Sequence, residues 1–265
     1  QALGLNPAKV KAYAPLIAEF QSSQAFDLSK EINVPQGRGY LIVLSHEPVE
    51  MPAMTQEYQA QKLPVTNESI NRDWTRKAPQ GSDGKLEVTG EALVVSGSRS
   101  TYTFIQRDLP ADVSGVQCQM LVPNLKNERV WHDRHDGLNA PGLAVAFESG
   151  KQVRVSFASK GVVVIEEGIL DHMYKPVLLL RDQPDDAWAW LQITWDDREV
   201  HVACSHDGKA WELVRALPRS VYGDAKQVLL GKIAKTYGWP RTLEFRNADG
   251  LQSGSFKEVN LLRRP

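Results

Sequence analysis

The sequence predicts an all-β protein: a two-sheet antiparallel jelly-roll sandwich preceded by a small β-rich segment. Three observations carry that expectation. Short runs of β-branched and aromatic residues follow one another from Trp74 to the C-terminus. Gly, Asp and Pro punctuate them, as turns of a sandwich or barrel require. Helical periodicity is almost absent. Composition agrees, with 42% hydrophobic, 24% charged and 8% aromatic residues among 265, values of a folded globular chain rather than a disordered one. Thirty-one basic residues oppose 32 acidic ones, for a net charge of −1. That balance gives no strong field for nucleic acid or an anionic membrane. No apolar run approaches the roughly 18 residues of a membrane span.

Residues 1–45 read as a unit of their own. Pro7 and Pro15 confine any helix to a short piece, so Asn6–Phe20 is a short helix or an irregular strand. Asp27–Pro35 reads as a polar strand and turn, and Tyr40–Leu44 as an apolar strand. Gly37 and Gly39 do not extend to GxGxxG, which removes a phosphate cradle. Residues 46–67, with Pro48, Pro52 and Pro64 and many Gln and Glu, read as a linker. The sandwich is expected over 68–265. Its strands read as Lys85–Val88 and Ala92–Ser96 around Gly90, Thr101–Ile105, Val116–Val122, Gly142–Phe147, Gln152–Phe157 and Val162–Ile165. Trp188–Trp195 then turns at Asp196-Asp197 into Glu199–Cys204, and Glu212–Val214, Val228–Gly231 and Phe256–Leu262 complete the set. Gln152–Phe157 alternates cleanly, with its apolar side chains on one face.

The first residue is Gln1 and no signal peptide is present, so a leader has been removed or the chain is a fragment; both suit an exported protein. Cys118 and Cys204 cannot form a four-cysteine zinc site or a CxxC pair. They form a disulfide between neighbouring strands or remain two buried thiols. Asn67-Glu68-Ser69 matches a glycosylation sequon, a tripeptide that arises often by chance.

Several stretches resemble one family. Glu91–Val95 stands where these domains carry G-x-L-x-v, and Pro141–Phe147 where they carry an aGl-x-v-x-f strand. Trp190–Ile193 followed by Val200–Cys204 and Ser205-His206-Asp207-Gly208-Lys209-Ala210-Trp211 matches W-L-x-l and S-x-D-G-x-x-W. Phe256–Leu261 matches the closing F-x-d-v-x-l strand. Together, over about Trp74–Leu262, these resemble the concanavalin A-like lectin/glucanase sandwich, in its laminin G-like and DUF1349-type forms found beside bacterial glycosidases. Residues 1–45 resemble the all-β piece that ends a larger glycosidase-like chain. The resemblance implies a fold that hosts lectins, glycosidases, lyases and structural modules alike.

Glucanases of this family carry an E-x-D-x-x-E strand, because a retaining pair of carboxylates must sit about 5–5.5 Å apart. That strand is absent, and adjacent Glu166-Glu167 point to opposite faces. Asp185-Asp186 and Asp196-Asp197 read as turn residues. The densest polar cluster is Trp131–Asn139. His132 and His135, with Asp133 or Asp136, are suited to a divalent metal or to acid–base chemistry near neutrality, and equally to a solvated loop. Ser205-His206-Asp207-Gly208 is a hairpin turn rather than a triad, since neighbours in a tight turn cannot align nucleophile, base and orienting acid. Of seven tryptophans, most are expected in the core. Tyr237 and Trp239, in a Gly/Pro-flanked loop, are candidates for stacking on a sugar face, with Arg241 for an acidic sugar. No metal or cofactor is assigned. Calcium is a further option, through Asp182, Asp185 and Asp186 or through Asn247–Gly250, although neither spacing matches an EF-hand.

The expectation is therefore carbohydrate recognition by a secreted or periplasmic bacterial protein tied to polysaccharide breakdown. Its ligand-binding candidates are Trp131, His132, Asp133, His135, Asp136, Tyr237, Trp239 and Arg241. The alternatives are a glycosidase- or lyase-like enzyme using His132, His135 or Asp136, and a ligand-free structural domain of a larger enzyme. The expected partners are an oligo- or polysaccharide and a catalytic domain of a larger chain.

Overall fold

The computed structural model describes residues 10–13, 43–46, 58–97, 102–121, 141–158, 161–166, 170–176, 187–209, 211–233 and 253–265. Near the N-terminus, strands β1 (Lys11–Tyr13) and β2 (Val43–Ser45) pair antiparallel in a two-stranded sheet. Within Asn6–Phe20, read as a short helix or an irregular strand, the described residues Lys11–Tyr13 form a strand.

The sandwich is built from β3 (Gln59–Lys62), α1 (Asn67–Asp73), β4 (Thr75–Lys77), β5 (Lys85–Thr89), β6 (Ala92–Ser96), β7 (Thr103–Asp108) and β8 (Gly115–Leu121). These are followed by β9 (Pro141–Phe147), β10 (Gln152–Ala158), β11 (Gly161–Glu166), β12 (Leu170–Pro176), β13 (Trp188–Trp195), β14 (Glu199–Ser205), β15 (Glu212–Pro218), β16 (Ala225–Lys232) and β17 (Ser253–Arg263). One sheet has the order β12-β11-β10-β9-β16-β7-β4 and the other β15-β14-β13-β8-β17-β6-β5, with β3 also on β17. Every pairing is antiparallel. The chain crosses between sheets at β3–β4, β4–β5, β6–β7, β7–β8, β8–β9, β12–β13, β15–β16 and β16–β17, which makes the sandwich a jelly roll.

Alternation builds the core. In β13, Ala189, Leu191 and Ile193 are fully buried between the sheets, in one core cluster with Val145, Val155 and Leu230 of the facing sheet. Leu191 and Ile193 each contribute about 1.5–3 kcal/mol by leaving water. Tryptophans divide by the same rule. Trp74 and Trp195 are in the core, but Trp188 and Trp190 alternate to the outer face and are only half-buried. The expectation of core rings fails for these two, because small aliphatic residues already fill the inward positions.

The stretch read as a linker is, over Gln59–Lys62, a strand of the sandwich. A bulge in β17 receives it. Register shifts between Lys257 and Asn260, and Glu258 adopts φ 49°. The Val259 carbonyl there accepts the Leu63 amide at 2.7 Å, and Lys62 Nζ meets Glu258 Oε1 at 2.9 Å. Leu63 and Val65 then enter the core. Thr66 caps α1 in a reciprocal box with Ser69. Ser69, the third residue of the sequon, is 2% exposed and donates to the Pro64 carbonyl, so the tripeptide is helix-capping structure. No helix among the described residues is long and apolar enough to cross a membrane.

Neither Cys118 nor Cys204 is in a disulfide, and both are buried. Each pairs with Leu191, one from β8 and one from β14. A strand lies between them, so they are about two strand spacings of ~4.8 Å apart, beyond the reach of a disulfide.

Candidate functional site

Strand ends decide where the sequence candidates are anchored. Segment 122–140 leaves β8 at Leu121 and returns at Pro141; segment 234–252 follows β16 and returns at Ser253. Pro141 pairs with Lys232, Leu121 with Trp188, and Ser253 with Ser96. A Cβ on Gly254 would lie 2.4 Å from the Pro141 Cβ. Both candidate-bearing segments are thus rooted at adjoining strand ends, at one end of the sandwich. Trp131, His132, Asp133, His135, Asp136, Tyr237, Trp239 and Arg241 themselves lie outside the described residues, as do Asp182, Asp185, Asp186 and Asn247–Gly250. Among the described residues no three His, Cys, Asp or Glu side chains converge as metal ligands would.

The seven-stranded sheet presents a polar group below that end which the sequence reading missed. β10 turns Val153, Val155 and Phe157 inward and Gln152, Arg154 and Ser156 outward. The inward face was read from the alternation; the opposite face of the same six residues held the signal. Arg154 is 2% exposed and its Nη1 donates to the Ile233 carbonyl. Beside it, Phe104, Ala144, Leu229 and Ile233 form a small buried apolar cluster. Ser156 is 1% exposed, and its hydroxyl has no hydrogen-bond partner. Gly142 is required next to it, because a Cβ there would lie 2.4 Å from both Ser156 Oγ and the Val155 carbonyl. On the core side of the same end, Lys232 is 1% exposed and Nζ reaches the Gly97 carbonyl at 3.4 Å.

Chemically, this end offers two buried cationic side chains, on opposite faces of one sheet, and a buried hydroxyl. Both cations donate to backbone carbonyls there, Arg154 to Ile233 and Lys232 to Gly97. On the outward positions of β7, β9, β10 and β16 the described carboxylate is Asp108. It sits at the far end of β7 and accepts from Gln227 Nε2 at 2.8 Å. A glycosidic carboxylate pair is therefore not formed by the described residues of these strands.

Remaining carboxylates serve turns and strand ends. Burial works against the charge of Asp196, yet the Glu199 and Arg198 amides, both at 2.7 Å, together with His201 and Arg264, hold its carboxyl below 3.8. Hydrogen bonds from Arg72 and Arg263 likewise hold Asp73 and Asp112 low. Ser205-His206-Asp207-Gly208 is a turn. Ser205 Oγ accepts the Gly208 amide at 2.9 Å, and Asp207 Oδ1 accepts the Lys209 amide at 2.8 Å. Gly208 has φ 75°, and a Cβ there would lie 2.8 Å from Trp190 Nε1, so the turn lies against that ring.

Residues 1–45 match the family model described as glycoside hydrolase 123, C-terminal domain. No curated protein matches the chain. Among solved structures, the chain is similar to the laminarinase catalytic domain of Thermotoga maritima MSB8, with 12% identity, 78% of this chain and 98% of that chain covered, and a TM-score of 0.49. It is similar to the laminarinase of Flavobacterium sp. UMI-01, with 9% identity, 76% and 96% covered, and a TM-score of 0.47. It is also similar to the exoplasmic/lumenal domain of VIP36 in its Ca2+/Man-bound form, with 11% identity, 78% and 89% covered, and a TM-score of 0.45. At these identities the likeness is one of fold alone.

Proposed function

We propose that this chain is a carbohydrate-binding accessory protein of polysaccharide breakdown, acting outside the cytoplasm. The observation that carries the reading is the rooting of segments 122–140 and 234–252 on adjoining strand ends, where Pro141 meets both Lys232 and Gly254. Those segments hold the aromatic and imidazole groups suited to a sugar: Trp131, His132, Asp133, His135 and Asp136 in one, Tyr237, Trp239 and Arg241 in the other. Aromatic rings stack on the C–H faces of sugars, and the polar groups bond their hydroxyls. The glycoside hydrolase 123 C-terminal match over residues 1–45 supports the link to polysaccharide breakdown, since it falls on the segment that resembles the end of a glycosidase-like chain.

The test is binding of the purified chain to a panel of plant, algal and host glycans, with and without EDTA, while new reducing or unsaturated ends are assayed. Binding without new ends, weakened by Trp239→Ala, is the expected result. New ends that vanish in His135→Ala would replace this reading with the enzyme. Absence of binding and of new ends across the panel would leave a structural module.

A further inference from the structure

The outer face of the eight-stranded sheet carries a second concentration of sugar-binding chemistry, on strands and away from the loops. β13 projects Trp188, Trp190 and Gln192 outward, each half-buried. Cross-strand register sets Trp190 against Gln119 and Gln119 against Lys257. Gln192 pairs with Gln117, and their amides bond at 3.2 Å. Lys257 Nζ stands 4.1 Å from the Trp188 ring centroid.

The inward neighbours Ala189, Leu191 and Ile193 already fill the core, so two large rings on the water side are not needed to close the sandwich. Their neighbours are also unusual. Each glutamine brings two N–H donors and a carbonyl acceptor, which is the complement of a row of hydroxyl groups. Among the described residues no carboxylate lies within salt-bridge distance of Lys257, and the ammonium rests on the π-face of Trp188 instead. Among the described residues, the one charge in the patch is therefore a cation without an anionic partner.

We propose that Trp188, Trp190, Gln117, Gln119, Gln192 and Lys257 form a second binding face, selective for polysaccharides whose residues bear a carboxylate, with Lys257 as the counter-charge and the exposed part of the Trp188 ring beside it as the apolar contact. The inference rests on the carbohydrate reading above, and adds a different surface and a ligand class. A uronate places a carboxylate on the same ring that presents hydroxyls and a C–H face, so it engages all three kinds of group at once. Because the cation is partly exposed, the affinity falls with salt.

The experiment titrates the full chain with hexagalacturonate and, separately, with a neutral glucan hexamer, following tryptophan fluorescence and calorimetry. Variants are Lys257→Gln, Gln119→Ala, Trp188→Ala and, at the loop-bearing end, Trp239→Ala; thermal unfolding of each checks its fold. The expected result is saturable hexagalacturonate binding that Lys257→Gln weakens about fivefold, without affecting any neutral-glucan binding. Gln119→Ala, a strand-surface change, weakens it too and covers the case in which Trp188→Ala does not fold. Uronate affinities of Lys257→Gln and Gln119→Ala within twofold of the unaltered chain would overturn the inference. If the loss is confined to Trp239→Ala, the carbohydrate reading stands and this face is excluded. No binding of any glycan would remove both.

Discussion

Single residues show how closely the side chains constrain the backbone. Gly208 is the sharpest case, with its left-handed φ of 75° and the Trp190 ring against its open side. Gly208→Ala places a methyl into that ring and an L-residue in an unfavourable region, and the expected loss is about 1–2 kcal/mol, measured by urea unfolding followed by tryptophan fluorescence. An unchanged midpoint would mean that the turn moves freely off the ring. Asp73, Asp112 and Asp196 are all held below their ordinary 3.8. A lowered carboxylate stabilises the fold fully above its unfolded value, and that contribution is lost as pH falls through the folded one. Stability is thus expected to be flat in this respect from neutrality to about pH 4–5 and to decline below. Asp112→Asn removes part of that decline in an acid titration, whereas an identical acid limb would show that the Arg263 contact is too exposed to matter. At this scale the sequence was partly legible. The turn at Ser205–Gly208 and the polarity of Gln152, Arg154 and Ser156 could be read directly, but the burial of Arg154 depends on neighbours contributed by β9 and β16, which no local pattern names.

Elements were legible where they carry their own alternation. Trp188–Trp195 and Ala92–Ser96 fall as expected to the residue. Strand Gln59–Lys62 was not legible, because all four of its residues are exposed and its cause lies some 200 residues downstream, in the β17 bulge. Helix α1 has seven residues, fewer than two full periods of a hydrophobic stripe need, and is held by its cap. Placing the start of the sandwich at β3 leads to a prediction. A chain beginning at residue 58 should unfold with the sandwich of the full chain, whereas one beginning at residue 68 loses Leu63 and Val65 from the core. At about 1.5–3 kcal/mol for each buried side chain, the shorter chain is less stable by roughly 3–6 kcal/mol. Equal thermal midpoints would mean that β3 is an ornament of the edge.

Across the whole molecule, the pairings that hold the sheets together are mostly remote in sequence. β17 pairs with β3, β6 and β8, and β16 with β7 and β9. Chain closure must precede such contacts, so refolding is expected in the millisecond-to-second range, observable by stopped-flow fluorescence; a microsecond phase carrying the full amplitude would contradict it. The fold class could be read from strand spacing because sandwiches repeat one simple rule many times. The proposed outer face could not be read in the same way. Trp188 and Trp190 looked like core material from hydrophobicity alone, and only the register of β8, β13 and β17 puts Gln119 and Lys257 beside them. The loop candidates from Trp131 to Asp136 and from Tyr237 to Arg241 lie outside the described residues, and what the structure adds is where their segments are rooted.

Cys118 and Cys204 flank Leu191 in the middle of a sheet, and burial pushes the Cys118 thiol well above its usual range. Neither sulfur can meet a thiol reagent until the strands around Leu191 part. The protein therefore carries an internal clock: the rate at which a colorimetric disulfide reagent labels the native chain reports how often its central strands open, with no probe added by mutation.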